Sequence, residues 1–220
     1  EGNQTFYPVQ NKPYMLNKTG DTLMLVAPAY AGALEITEPT VTTINTAALS
    51  GNKKITSFTA NKVTKVMNHA FSECGNLASI TLGELTEIGD YAFFKTAITD
   101  VHSFTALDRI GAFAYAGTKI TEVTIPNGMV VGTGAFEECT ELTTVSVGNN
   151  VELGNYAFRL AWDLNFKATA LPGVDHEGRV VYYYDLTSKL LNITIGNDVT
   201  IGKGAFYGAS KATSITLGAN

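Results

Sequence analysis

One pattern constrains this chain more than any other: Ile88-Gly89-Asp90-Tyr91-Ala92-Phe93, an aliphatic residue, Gly, two variable residues, then Ala and an aromatic. Aligned on the last pair, it returns at Ala48-Leu49, Ala70-Phe71, Ala92-Phe93, Ala114-Tyr115, Ala135-Phe136, Ala157-Phe158 and Ala205-Phe206. The spacings are 22, 22, 22, 21, 22 and 48 residues, and an aliphatic residue stands five positions before each aromatic position: Ile44, Val66, Ile88, Ile110, Val131, Leu153 and Ile201. Columns that stay in phase over seven copies mark a repeat array, in which no unit can bury its apolar face alone.

Downstream of most pairs comes a period-two run rich in β-branched residues: Ile55-Thr56-Ser57-Phe58, Leu77 to Leu82, Ile98-Thr99-Asp100-Val101, Ile120 to Ile125, Leu142 to Val147 and Ala212 to Leu217. Such runs predict short strands with one buried and one wet face, stacked in parallel about 4.8 Å apart. The aromatic then fills the space behind each strand, and truncating one to Ala costs ~3–5 kcal/mol. Gly89, Gly111, Gly132, Gly154 and Gly202 recur where the chain bends, which predicts either positive φ or close backbone contact.

Two segments depart from the unit. Tyr14-Met15-Leu16, a polar turn over 17–21 and Thr22 to Val26 read as a hairpin capping the array. Arg179 to Tyr184, a turn at 185–188 and Lys189-Leu190-Leu191 read as a second hairpin, so the 48-residue interval is expected to be a modified double unit. The expected organisation is a cap over 1–34 and a solenoid over 35–220 with a hairpin insertion at about 170–191, all one continuous domain. The chain stops just after the strand-like Ile215-Thr216-Leu217; an uncovered parallel edge invites pairing, so self-association there, or a longer native chain, is the expectation.

Composition narrows the function. A net charge of −5 with scattered Lys and Arg lacks the clustered basic face that nucleic acid needs, and disfavours acidic membrane surfaces. No run approaches the ~18 apolar residues of a membrane span. Cys74 and Cys139 each follow their aromatic by three residues, three units apart, or about 14 Å by stacking, beyond the ~7 Å reach of a disulfide. Buried, unpaired thiols are the expectation, and neither they nor any other residues show metal-site spacing.

The units resemble the BspA-like branch of leucine-rich repeats: Val131-Gly132-Thr133-Gly134-Ala135-Phe136-Glu137-Glu138-Cys139-Thr140-Glu141-Leu142 matches that unit throughout, and Ala70 to Leu77 nearly so. The resemblance covers roughly residues 13–220, with departures at Leu49, Tyr115 and around Trp162-Asp163-Leu164. It implies a leucine-rich-repeat solenoid, with short parallel strands on one face and irregular or short helical turns on the other. It also implies a bacterial cell-surface or secreted protein in a family associated with adhesion to host proteins, and it brings no catalytic residues.

Candidates for chemistry are few. Gly132-Thr133-Gly134 and Gly202-Lys203-Gly204 complete no phosphate-binding motif and belong to the repeat. The histidines His69, His102 and His176 stand in no readable nucleophile–base pattern, so no enzyme activity and no cofactor are expected. For His69 and His176, solvated surface is the default. On the wet strand face, mostly Thr, Ser and Ala, the exceptions are Asp100, His102 and Glu122; Asp100 and Glu122 align in one column, two carboxylates that need a compensating partner. This trio is one candidate contact site, against a reading as solvated charges. Tyr182, Tyr183 and Tyr184 form the other: alternation puts Tyr183 opposite its neighbours, and exposed Tyr suits protein or sugar recognition, against a reading as hairpin packing. The function expected is a non-enzymatic adhesion module binding a host or surface protein, or a glycan; the alternative is a spacer within a longer surface protein.

Overall fold

The structure is a computed structural model that describes residues 7–102, 104–159, 171–174, 180–183, 190–209 and 212–218. Its frame is two ladders of parallel strands running along one solenoid. All the expected strands but Ile98 to Val101, joined by two further ones, form the long ladder in two pieces: a three-stranded sheet of Gly32–Glu35, Ile55–Ala60 and Ser79–Leu82, and a four-stranded sheet of Glu122–Ile125, Thr144–Val147, Asn192–Ile195 and Ser214–Leu217. The second ladder runs along the aliphatic column, outside the expected strand runs. Two-residue strands from Thr43–Ile44 to Thr200–Ile201 pair one unit to the next, Val66 with Ile88, Ile88 with Ile110 and Val131 with Leu153.

Between the ladders lie the rings. Phe71, Phe93, Tyr115, Phe136 and Phe158 are fully buried and stack face to face at centroid distances of 5.5, 5.0, 5.4 and 5.1 Å. Phe58 closes the column edge-on at one end and Phe206 stacks on Phe158 at 5.3 Å at the other. Offset stacking adds about 0.5–1.5 kcal/mol per pair beyond the area buried, so each unit gains from a correctly placed neighbour.

The turns behind the rings hold no helix among the described residues. The residue before each Ala adopts a left-handed backbone, φ 56° at Ala47, 57° at His69, 56° at Tyr91, 54° at Phe113 and 58° at Tyr156, with Gly134 and Gly204 at 59° and 60°. One left-handed residue ends any helical run, which replaces the expected helical turns by tight ones. Positive φ thus falls two residues after the glycine column, and that column serves close approach instead. A Cβ on Gly132 or Gly154 would sit 2.6 Å from the backbone N of Ala112 or Thr133 in the preceding unit. Side chains tie successive turns as well: Asn68 Oδ1 accepts from Asp90 N–H at 2.9 Å, and Asp90 Oδ1 from Ala112 N–H at 2.7 Å.

The N-terminal hairpin pairs Tyr14–Leu16 with Thr22–Val26, and the latter continues the short ladder onto Thr43–Ile44. Tyr14 is buried and donates to Glu38 at 2.5 Å; burial, then the Glu38 carboxylate, drives its phenol well above the usual range. The second hairpin differs from its expected form. Val180–Tyr183 pairs antiparallel with the preceding Leu171–Val174, while Leu190 is a buried core residue of the next unit. Glu152 pairs directly with Thr200 and Val145 with Ile193, so the long interval advances the stack by one turn with an excursion, not by a double unit.

Gly132→Ala is expected to destabilise the chain by roughly 1–3 kcal/mol or more, because the added methyl meets backbone. Gly75→Ala, whose Cβ would find nothing nearer than Lys95 O at 4.0 Å, should change stability by under about 0.5 kcal/mol. Urea denaturation of both variants checks the contrast.

Candidate interaction surface

The strand face carries few marks. Ser79, Thr81, Thr124, Asn192, Thr194, Ser214 and Thr216 point outward and are exposed, with Thr144 and Ser146 half-exposed, so the sheet presents a nearly uniform neutral polar surface. Asp100 and Glu122 are both exposed, yet the structure does not join them in register: residues 98–102 form no strand, and among the described residues Glu122 pairs with Thr144. Ile98 to Ile110 spans twelve positions, whereas Leu77 to Ile88, Ile120 to Val131 and Leu142 to Leu153 each span eleven. The extra residue throws the unit out of phase and divides the long ladder. Asp100 accepts a hydrogen bond from the Thr99 hydroxyl at 2.8 Å.

His102 is the larger correction, because it turns inward. Its ring stacks on Phe93 at 5.1 Å and its Nδ1 lies 3.2 Å from the Tyr115 hydroxyl. Two apolar residues beside it, Val101 and Phe104, pack on the core, leaving the imidazole as filler at the break. Nε2 is buried without a hydrogen-bond partner, and burial pushes the imidazole down to about 4. His102 is therefore no part of an outward trio. Tyr182 and Tyr183 fall in the strand Val180–Tyr183, and Tyr184 and His176 lie outside the described residues.

A feature that sequence reasoning passed over lies on the turns. The position before each Ala, taken as variable, holds His69, Tyr91, Phe113 and Tyr156 in four units. His69 stacks on Tyr91 at 4.8 Å and Tyr91 on Phe113 at 4.9 Å; Phe94 meets Tyr91 edge-on, and Lys95 lies over Phe94 at 4.9 Å. His69 is exposed and the three other rings are half-buried. The left-handed backbones at His69, Tyr91 and Phe113 cost of order 1–3 kcal/mol each. The signal was available: a column mixing aromatics with Gly134 and Gly204 asks for positive φ, which an aromatic does not meet for its backbone's sake.

Beside this ring cluster is a shallow cleft of about 350 Å³, lined by Asn68, Glu87, Gly89, Asp90, Asp108 and Arg109 among others. Glu87 and Arg109 belong to the exposed side of the short ladder, where Lys65 reaches Glu87 at 3.7 Å. Such exposed pairs contribute at most about 1 kcal/mol. No three His, Cys, Asp or Glu are grouped to hold a metal, and no helix is long and apolar enough to cross a membrane, among the described residues.

The thiols are buried and free. Cys74 donates to Leu49 O at 3.1 Å and Cys139 to Tyr115 O at 3.2 Å, so each satisfies a carbonyl of the preceding unit. Burial pushes both up to about 12.

The repeat spacing, paired ladders and buried ring column define a leucine-rich-repeat solenoid. Residues 42–165 and 179–220 match the model of the BspA type leucine rich repeat region, in six copies, and the chain belongs to that family. Among solved structures, a leucine-rich repeat protein from Bacteroides ovatus aligns at TM-score 0.51 and 17% identity, covering 99% of this chain and 76% of that one. A leucine rich cell surface protein from Faecalibacterium prausnitzii aligns at TM-score 0.48 and 16% identity, covering 98% of this chain and 77% of that one. No curated protein matches the chain.

With thiol pKa values near 12, Cys74 and Cys139 should resist a disulfide reagent at pH 8, reacting more than roughly a hundredfold slower than in denaturant. Fast labelling of either in the native chain would contradict this burial.

Proposed function

We propose that the chain is a non-enzymatic protein-binding module of a bacterial cell-surface or secreted protein, and that its contact surface is the turn side around Tyr91 rather than the strand face. The observation that carries the reading is the cluster of incompletely buried rings, His69, Tyr91, Phe94 and Phe113, with His69, Tyr91 and Phe113 held at strained backbone positions, beside a polar cleft. Aromatic residues are enriched at protein interfaces, where they bring large contact area at small entropic cost. Two glycines in the same column give the scaffold a cheaper choice, which argues that the rings serve something besides the fold. The surface setting and the absence of catalysis follow the family resemblance.

The spacer reading keeps one specific support: the strand face is mostly hydroxyl and amide side chains, with Glu35, Asp100 and Glu122 as its exposed carboxylates among the described strands and their junction. The two readings separate in a binding assay. The chain would be immobilised and challenged with a panel of host surface and matrix proteins, alongside the variants Tyr91→Gly plus Phe113→Gly and Asp100→Ala plus Glu122→Ala. Glycine relieves both backbones, so the first variant should fold. It is expected to lose capture at least tenfold while the second keeps it. Undiminished capture by the glycine variant, or capture of nothing by the parent chain, contradicts the assignment.

A further inference from the structure

We propose that His102 is an acid-operated release at the junction of the two long-strand sheets: protonation of its imidazole drives the chain around it out of the core and uncovers Phe93, Phe104 and Tyr115. Among the described residues, the junction is where the long ladder is interrupted. No ladder joins Ser79–Leu82 to Glu122–Ile125. Backbone bonds there include Ala97 N–H to Leu77 O and Lys119 N–H to Ile98 O, both 3.0 Å. Packing has to supply what pairing does not, and His102 is central to that packing, stacked on Phe93 and 6.5 Å from the Tyr115 ring centroid.

The neutral ring suits this place and the cation does not. The Tyr115 hydroxyl and Nδ1 share one hydrogen bond, in either direction, and Nε2 has no partner. An imidazolium would bury two N–H donors and a charge with at most one acceptor between them, and an unpaired buried charge is costly. Compensation is absent on every side among the described residues. Phe93, Phe104 and Val101 carry no charge, and Tyr115, the titratable group facing the ring, is held neutral by its own burial. Lys95 on the preceding turn, Asp100 on the same segment, Glu84, Asp108 and Arg109 on its flanks, and Lys119 and Glu122 on the next unit are all exposed, and none pairs with the imidazole.

The direction follows from linkage. Burial lowers the imidazole from 6.5 to about 4 in the closed form. A group depressed on closing favours the closed form fully above its free value, and that advantage is lost as pH falls from about 6.5 toward 4. With those two values the opening constant rises roughly twentyfold between pH 7 and pH 5. That window lies mostly above the ordinary carboxylate range, so it separates His102 from general acid unfolding.

Native-state amide exchange on the full chain tests this, read by NMR at pH 7 and pH 5 and corrected for intrinsic rates. The amides of Ala97 and Lys119 are compared with that of Phe136, which bonds Ala157 O at 2.8 Å away from the junction. In the parent chain the junction amides should lose protection roughly twentyfold relative to Phe136 on acidification. His102→Phe and His102→Gln should both abolish that relative loss, the first keeping the ring packing and the second keeping a polar group without a proton to gain. The His102 Cε1–H resonance of the parent chain supplies a reading that needs no variant, and should titrate well below 6.5, at the lower end of the range over which protection is lost. An equal loss in both variants overturns the proposal, as does a His102 that titrates near 6.5 while Ala97 and Lys119 stay protected.

Discussion

The regularity of this molecule hangs on the stacking of one ring per turn from Phe71 to Phe206. A single unit of about 22 residues has a four-residue strand, a two-residue strand and a loop, none of which persists alone. What makes the unit reproducible is that its aromatic must lie 5.0–5.5 Å from the one before it, with nearly parallel planes along most of the column. That spacing is compatible with backbone pairing at about 4.8 Å only if the rings are slightly offset. The other columns serve the same rise. Glycines let one turn lie on the backbone of the last, Ala keeps the turn close to the rings, and buried thiols or threonines satisfy carbonyls that no ladder reaches, as Cys139 and Thr118 both do at Tyr115 O.

The column also explains how the solenoid tolerates a fault. At 98–110 one additional residue takes the strand out of phase, and the long ladder stops and restarts. The short ladder does not: Ile88, Ile110 and Val131 remain paired, and Phe93 and Tyr115 stay stacked. Local irregularity is therefore confined to the strand face, where Val101, His102 and Phe104 turn inward to fill the gap. The same units carry the ring cluster of the turn side, so both departures from uniformity fall in the stretch from His69 to Gly117. Repeats supply the rod; these departures supply whatever the rod distinguishes.

Much of the fold was legible because it is periodic. The Ala-aromatic column, the aliphatic column and the strand runs are visible in the residues, and each falls within a turn of the solenoid as expected. What was not legible depended on phase or on backbone angle. A two-residue strand has no period to detect, so the short ladder at Ile44, Val66 and Ile88 lies outside the expected strands. An alternating run such as Ile98 to Val101 looks like a strand until its length to Ile110 is compared with the neighbouring units, and that one-residue difference turns His102 from the wet face to the buried one. The turn-side aromatics were obscured by inspecting columns for sameness, since a position that alternates between aromatic and Gly looks variable while its backbone angle is constant. Segments without repeat register gave the weakest guidance: Val180–Tyr183 pairs with the preceding Leu171–Val174.

Central to this fold is that the rings bind the units together where the long ladder is interrupted. A double-mutant cycle of Phe93→Leu and Tyr115→Leu, measured by chemical denaturation, isolates their coupling across the divided ladder. The stacking geometry predicts a favourable coupling of about 0.5–1.5 kcal/mol between them. Additivity of the two substitutions within about 0.3 kcal/mol would show that the rings merely fill volume, and would contradict the claim that their contact carries the array.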